Sequence, residues 1–181
     1  TGSGPATWTH DHTPTGVHDL CGNVLEIVRG LRIKDGALWA AENNDAALPE
    51  TDLTTCGDGW KPIVDSNGNQ VYVDAMDGIK FTNEKPQHGR ANFESWEDVR
   101  MECWSDQLME LGLFAGEKKA YCAVDATEGE YLPLRGGSWG DGGHAGLFGL
   151  NLDDPRSNSG WDIGGRSAYF KKRRKLFAGK L

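Results

Sequence analysis

LRGGSWGDGGHAGLFGLNLDDPRSNSGWDIGGRSAYF, residues 134–170, is the stretch whose reading decides the fold. It opens with Arg135-Gly136-Gly137-Ser138-Trp139, closes with Gly164-Gly165-Arg166-Ser167-Ala168, and holds ten glycines. Glycine at this density admits backbone angles closed to other residues, which predicts turns joining short strands. Between the ends lie small and polar residues: Gly140, Asp141, Gly143, His144, Asp153, Asp154, Asn158, Gly160 and Asp162. The apolar residues among them, Leu147, Phe148, Leu150, Leu152 and Ile163, are expected to form a scaffold. The glycines of 136–149 lead into no helix, which sets the stretch apart from a phosphate-binding loop.

Working outward, 181 residues suit one domain with a core of useful size. Seven Trp in a Gly-rich, weakly periodic chain predict an irregular fold packed around large aromatics, not a helical bundle. No apolar run approaches the ~18 residues a membrane span needs. The chain starts at Thr1-Gly2-Ser3-Gly4-Pro5 with no Met and no secretory leader, as a piece cut from a longer parent would.

The net charge of −8 is unevenly spread: residues 1–170 carry 13 Lys/Arg against 27 Asp/Glu, a charge of −14. An acidic body argues against a nucleic-acid-binding face. The run Lys171-Lys172-Arg173-Arg174-Lys175 is either an anion-binding or steering tail, or a solvated end that offsets the acidic body. Cys21, Cys56, Cys103 and Cys122 form no CxxC and no zinc spacing, and their even number permits two disulfides without requiring them.

Along the chain, 1–18 reads as an irregular entry in which His10, Asp11, His12 and His18 are either a metal cluster or loop polarity. In 16–27, GVHDLCGNVLEI, a Gly22-Asn23 turn separates two apolar pairs and is flanked by Asp19 and Glu26. Carboxylates and loop carbonyls around a sharp turn suit a hard cation such as Ca²⁺, and equally suit a plain turn into a strand. Residues 30–41 predict a β-hairpin turning at Asp35-Gly36. Residues 42–58 read as a polar loop, and 60–82 as a second hairpin turning at 66–69. Ser95 can cap a helix whose apolar stripe is Met101, Trp104, Leu108 and Leu111, ending at Gly112.

No recognised catalytic motif is present: there is no G-x-S-x-G, no P-loop, no G-x-G-x-x-G after a strand and no HExxH. The residues by themselves point to no reaction.

Three landmarks in order, DLCGNVLE at 19–26, RGGSW at 135–139 with Arg156, and the Gly-x-Arg at 164–166, resemble the formylglycine-generating-enzyme family. That resemblance implies an α+β fold of the C-type-lectin-like class, rich in loops and short antiparallel strands, as a single domain over 1–181 with 42–130 as an insertion. Leu25 and Ile27 stand where the family commonly has aromatics. The enzymes of that family use a cysteine pair between RGGS and the closing Arg, and this sequence has no Cys after Cys122. The histidine arrangement of the iron-dependent sulfoxide synthases on the same fold is also missing. Both departures weigh against an oxidase.

The final segment looks more like the variable proteins of diversity-generating retroelements, RGGSW…AGLFxLNL…PRSNS…IGxRSA, in which Asn-rich template positions are rewritten by adenine mutagenesis. An AAY codon mutated at its adenines can give Gly, Asp or His. Those residues stand at Gly140, Asp141, His144, Asp153, Asp154, Gly160 and Asp162; the Trp161 codon ends in G and has another origin.

The likeness implies a receptor-recognition domain without enzymatic activity, displayed on a phage tail tip or a prokaryotic cell surface. It would bind a protein or glycan on a target cell and neither nucleic acid nor the membrane interior, with multivalent display offsetting weak single contacts. The variable, ligand-binding set would be Gly140, Asp141, Gly143, His144, Asp153, Asp154, Asn158, Gly160, Trp161 and Asp162, with Trp161 a hot-spot candidate. A purely structural tail or adhesin domain is the other non-enzymatic expectation. By position in the family, Asp19, Gly22, Val24 and Glu26 would hold a structural Ca²⁺. The motif arginines 135, 156 and 166 are expected to bridge loops through carboxylates and carbonyls.

Overall fold

Short strands separated by turns, with one brief helix, make this a mostly β protein of two mixed sheets. The computed structural model describes residues 4–166 apart from His88 and Lys118; the Ser167-Ala168 end of the closing motif and the basic run 171–175 lie outside the described residues. In chain order the strands are β1 (Leu25–Ile27), β2 (Leu31–Lys34), β3 (Ala37–Ala41), β4 (Trp60–Pro62), β5 (Tyr72–Asp74), β6 (Lys80–Thr82) and β7 (Arg90–Ser95). They continue as β8 (Arg100–Met101), β9 (Lys119–Asp125), β10 (Glu130–Tyr131), β11 (Leu134–Gly136), β12 (Gly146–Leu152) and β13 (Ile163–Gly164).

One sheet has the order β13-β1-β11-β12-β9-β7; the other runs β10-β2-β3-β5-β6-β8, with β4 also paired to β3. The opening stretch therefore supplies β11, β12 and β13, two of them in the middle of the first sheet. The 30–41 hairpin forms as its Asp-Gly turn predicts: Asp35 and Gly36 both take positive φ, and Ile33 pairs with Leu38. The second hairpin is looser. Its arms meet at a Val64–Gln70 bridge, and β5 pairs with β3 and β6. Asp65 organises the turn, its Oδ1 accepting from the backbone N–H of Asn67 and Asn69, both at 2.8 Å.

The expected helix from Ser95 to Leu111 is a correction. Ser95 caps only a 3₁₀ turn, Trp96–Asp98, by accepting from the Glu97 N–H. Arg100 and Met101 then pair in parallel with Lys80 and Phe81, and the helix α1 spans only Asp106–Glu110. The apolar spacing is real but serves two elements, with Trp104 half-exposed between them. The α+β expectation accordingly gives way to a mostly β architecture.

Side chains from both sheets share one core: Leu31, Ile33, Leu38, Val73 and Phe81 from one, Cys122, Val124, Leu150 and Leu152 from the other, with Trp96, Leu108 and Leu113 between. Segment 42–130 is part of this core, supplying β4 to β9. All four cysteines are free thiols, with Cys103 and Cys122 buried and Cys21 and Cys56 exposed. Among the described residues no helix is long and apolar enough to cross a membrane.

Candidate functional site

Strand direction determines which parts of 134–166 meet. β11 runs antiparallel to both β1 and β12, and β13 runs parallel to β1. The end of β11, the start of β12 and the start of β13 therefore share one edge of the sheet. The 137–145 loop leaves β11 and enters β12 at that edge, and the 153–162 loop returns to it before β13.

The turn at Gly22-Asn23 sits between them: the Trp139 N–H donates to Asn23 O at 3.1 Å, and the Leu25 N–H to Asp162 O at 2.8 Å. Trp139 and Trp161, far apart in sequence, consequently lie together, ring centroids 5.1 Å apart and planes tilted by 39°. They are 68 % and 72 % exposed, which gives Trp139 a larger surface role than its place beside the motif glycines suggests.

Of the expected variable residues, Gly140, Asp141, Gly143, His144, Gly160, Trp161 and Asp162 gather at this edge. The His144 ring stacks on Tyr121 with centroids 4.5 Å apart, and its Nε2 lies 3.8 Å from Glu94. A small cavity of about 180 Å³ opens between Asp141 and His144 above Leu25 and Leu134.

Asp153, Asp154 and Asn158 follow the far end of β12, away from the 137–145 loop, with Asp154 still within electrostatic reach of Asp162. Asp153 is 8 % exposed and ion-paired to Arg90, so its side chain holds the loop to β7 instead of facing solvent. Asn158 donates to the Asp154 carboxylate at 2.6 Å. Burial, with Asp153 and Asp162 nearby, raises the Asp154 pKa against the pull of Asn158 and Arg90.

The glycines divide sharply by role. Gly136 and Gly137 have φ of +87° and +76°, and a Cβ on them would lie 2.9 Å from Leu20 O and 2.5 Å from Ala145 Cα. Gly140 and Gly143 need no positive φ; a Cβ at Gly143 would meet nothing, and one at Gly140 only Ser138 Oγ at 3.7 Å. At Gly160 the nearest atom is the tip of the Asp162 side chain.

The scaffold is partly as expected. Leu134, Leu150 and Leu152 are buried and Ile163 is half-buried, but Leu147 and Phe148 are exposed, because the first half of β12 projects beyond the core.

Each motif arginine bridges loops. Arg135, whose burial lowers its pKa, donates to Leu111 O at 3.2 Å. Arg156 donates to both Glu130 oxygens, at 2.6 and 2.9 Å, and to Leu53 O at 2.9 Å. Glu130 also accepts from Arg32 at 2.8 Å and Thr55 at 2.7 Å. Burial pushes the Glu130 pKa up, but the hydrogen bonds from Arg156, Thr55 and Arg32 outweigh it and hold the carboxyl at about 2. Arg32 itself lies over Trp60 at 4.4 Å and Trp39 at 5.5 Å. None of these partners was legible in the sequence, since Glu130 and Arg32 carry no motif.

Arg166 bears on the expected Ca²⁺ set, Asp19, Gly22, Val24 and Glu26. Its guanidinium donates to both Glu26 carboxylate oxygens, to His18 O at 2.9 Å and to Asp19 O at 3.1 Å. The Gly22 N–H donates to Gly136 O. Of the expected set, the Glu26 carboxylate and the Asp19 carbonyl are thus taken up by a guanidinium. Among the described residues no three His, Cys, Asp or Glu side chains are grouped to hold a metal. His10, Asp11 and His12 are engaged within their own loop, with Val17 N–H, Thr13 and Thr7 O.

No protein-family model matches this chain, and no curated protein matches it either.

Proposed function

We propose that this chain is a ligand-binding domain whose 134–166 stretch displays a recognition face open to diversification by a retroelement. The ligand is a protein or glycan on a target cell surface, and the platform a phage tail tip or a prokaryotic cell surface. The domain carries out no reaction, and its finer fold is the C-type-lectin-like fold of the formylglycine-generating-enzyme type.

The observation that carries this proposal is the division of the glycines. Those of the RGGS motif are fixed by backbone angle and close approach, whereas Gly140 and Gly143, a few residues on, have ordinary angles and open space where a Cβ would stand. His144, Trp161 and Asp162 lie on the same edge, and His144 shares a cavity with buried Leu134 and Leu150. A surface whose side chains can all change above a scaffold that cannot is what a variable binder needs. The buried Cys122 thiol, pushed up to about 12 by burial, is poorly suited to the thiolate chemistry of an oxidase.

Two measurements test the proposal. The coding locus is expected to lie beside a reverse transcriptase and a second, Asn-rich copy of the segment for 134–170; a locus with neither overturns retroelement diversification. A library randomised at Gly140, Gly143, His144, Gly160, Trp161 and Asp162 is expected to yield mostly folded proteins with altered binding. A mostly unfolded library overturns the variable-face assignment.

A further inference from the structure

We infer that the Trp139–Trp161 pair is a binding site for a cationic side chain, arginine or lysine, of a protein partner. This names the ligand chemistry of the face described above and rests on that proposal only for the claim that the face meets a partner.

Two indoles exposed by about two-thirds and tilted at 39° form an open, V-shaped aromatic surface. Exposed tryptophans placed side by side leave apolar area that, among the described residues, neither the core nor a neighbouring element covers. The indole face carries the negative end of the ring quadrupole and attracts a cation.

Among the described residues, the charges adjoining the pair in sequence, Asp141 and Asp162, are both acidic. Asp162 follows Trp161 directly, Asp141 lies two residues past Trp139, and Glu94 stands beside His144 on the same edge. Asp141 is partly engaged by the Ser138 N–H, whereas no salt bridge among the described residues neutralises Asp162. The nearest motif cation, Arg166, is committed to Glu26. The chain as a whole carries −8, which favours the approach of cations over acidic ligands.

A neutral sugar could also stack on an indole, but it would gain nothing from this charge. A guanidinium gains twice, by stacking on the rings and by pairing with the Asp162 carboxylate.

The test is calorimetric titration of the full chain with an oligo-arginine peptide carrying glycine spacers, with a matched oligo-aspartate peptide and a neutral oligosaccharide alongside. The arginine peptide is expected to bind saturably, and binding should weaken as salt rises past the point where the screening length shrinks to about 10 Å. Trp161→Ala is expected to weaken it about fivefold, the size of an exposed cation–π contact. Asp162→Asn is expected to weaken it and to flatten the salt dependence. Because Trp161 is 72 % exposed, the unfolding temperature of Trp161→Ala should match that of the parent, and Trp139→Phe serves as a second, milder variant.

No saturable peptide binding, or binding unchanged in Trp161→Ala, overturns the inference. Oligosaccharide binding that Trp161→Ala abolishes and salt does not affect overturns it in favour of a glycan. Failure here leaves the locus test of retroelement diversification untouched, and a locus without the retroelement leaves this titration decisive for the cation site.

Discussion

Arg166 donates to both carboxylate oxygens of Glu26, closing 140 residues of chain with one fork-shaped contact. The same guanidinium takes the carbonyls of His18 and Asp19, so it fastens the closing Gly-x-Arg motif onto the first landmark. A planar guanidinium satisfies four oxygens here in a way an ammonium cannot. Arg166→Lys is therefore expected to behave nearly as badly as Arg166→Ala, each losing about 1–3 kcal/mol in chemical denaturation. Because this cation is covalently part of the chain, neither a chelator nor millimolar Ca²⁺ should move the unfolding temperature of the parent. A clear rise with Ca²⁺ would show that the arginine yields its place.

Substitution at neighbouring glycines should separate scaffold from surface. Gly137→Ala forces a side chain into the left-handed region and to 2.5 Å from Ala145 Cα, and is expected to cost about 2 kcal/mol or more. Gly143→Ala meets open space and should change stability by less than about 0.5 kcal/mol. Urea melts of the two variants decide it, and equal losses would contradict the division of the stretch.

The Glu130 carboxyl, held at about 2 against an ordinary 4.5, links folding to pH. In the unfolded chain this group binds a proton more readily than in the folded one, so stability rises with pH between the two values. Its contribution should be fully present above the ordinary pKa and disappear as pH falls through about 2. Glu130→Gln, measured by urea melts across that window, should flatten the slope. It should also cost stability at neutral pH, because Arg32 and Arg156 lose their common counter-charge.

Thiol labelling offers a simple check on burial. In the native protein a neutral alkylating reagent at pH 8 is expected to modify Cys21 and Cys56 and to spare Cys103 and Cys122 until the chain unfolds. The Cys122 thiol, raised to about 12 by burial, should be the slowest. Rapid native labelling of Cys122 would mean that the sheet around β9 and β12 opens.

Local chemistry was readable in the sequence; long-range pairing was not. The Asp35-Gly36 turn foretells its hairpin because turn type and register are decided within a few residues. The stripe Met101, Trp104, Leu108 misleads because a parallel strand pair with β6, distant in sequence, claims Met101 before a helix can. Glu26 stood out as a carboxylate beside a turn, but its partner Arg166 lies 140 residues away, beyond the reach of any local pattern. Trp139 and Trp161 could each be suspected of exposure; that they touch depends on strand directions that no spacing encodes. Leu147 and Phe148 were expected inside because apolar residues usually are, and they lie outside because β12 outruns the core it crosses.

The position of β1 has a consequence for how the molecule is made. Its strand neighbours are β11 and β13, through Glu26 with Arg135 and with Gly164. β1 thus has no strand partner until these later segments are in place beside it. Closure of this sheet is paced by the search for distant partners. Until it happens, an unpaired edge and the residues destined for the core stay open to aggregation, and folding of this domain becomes a problem of timing.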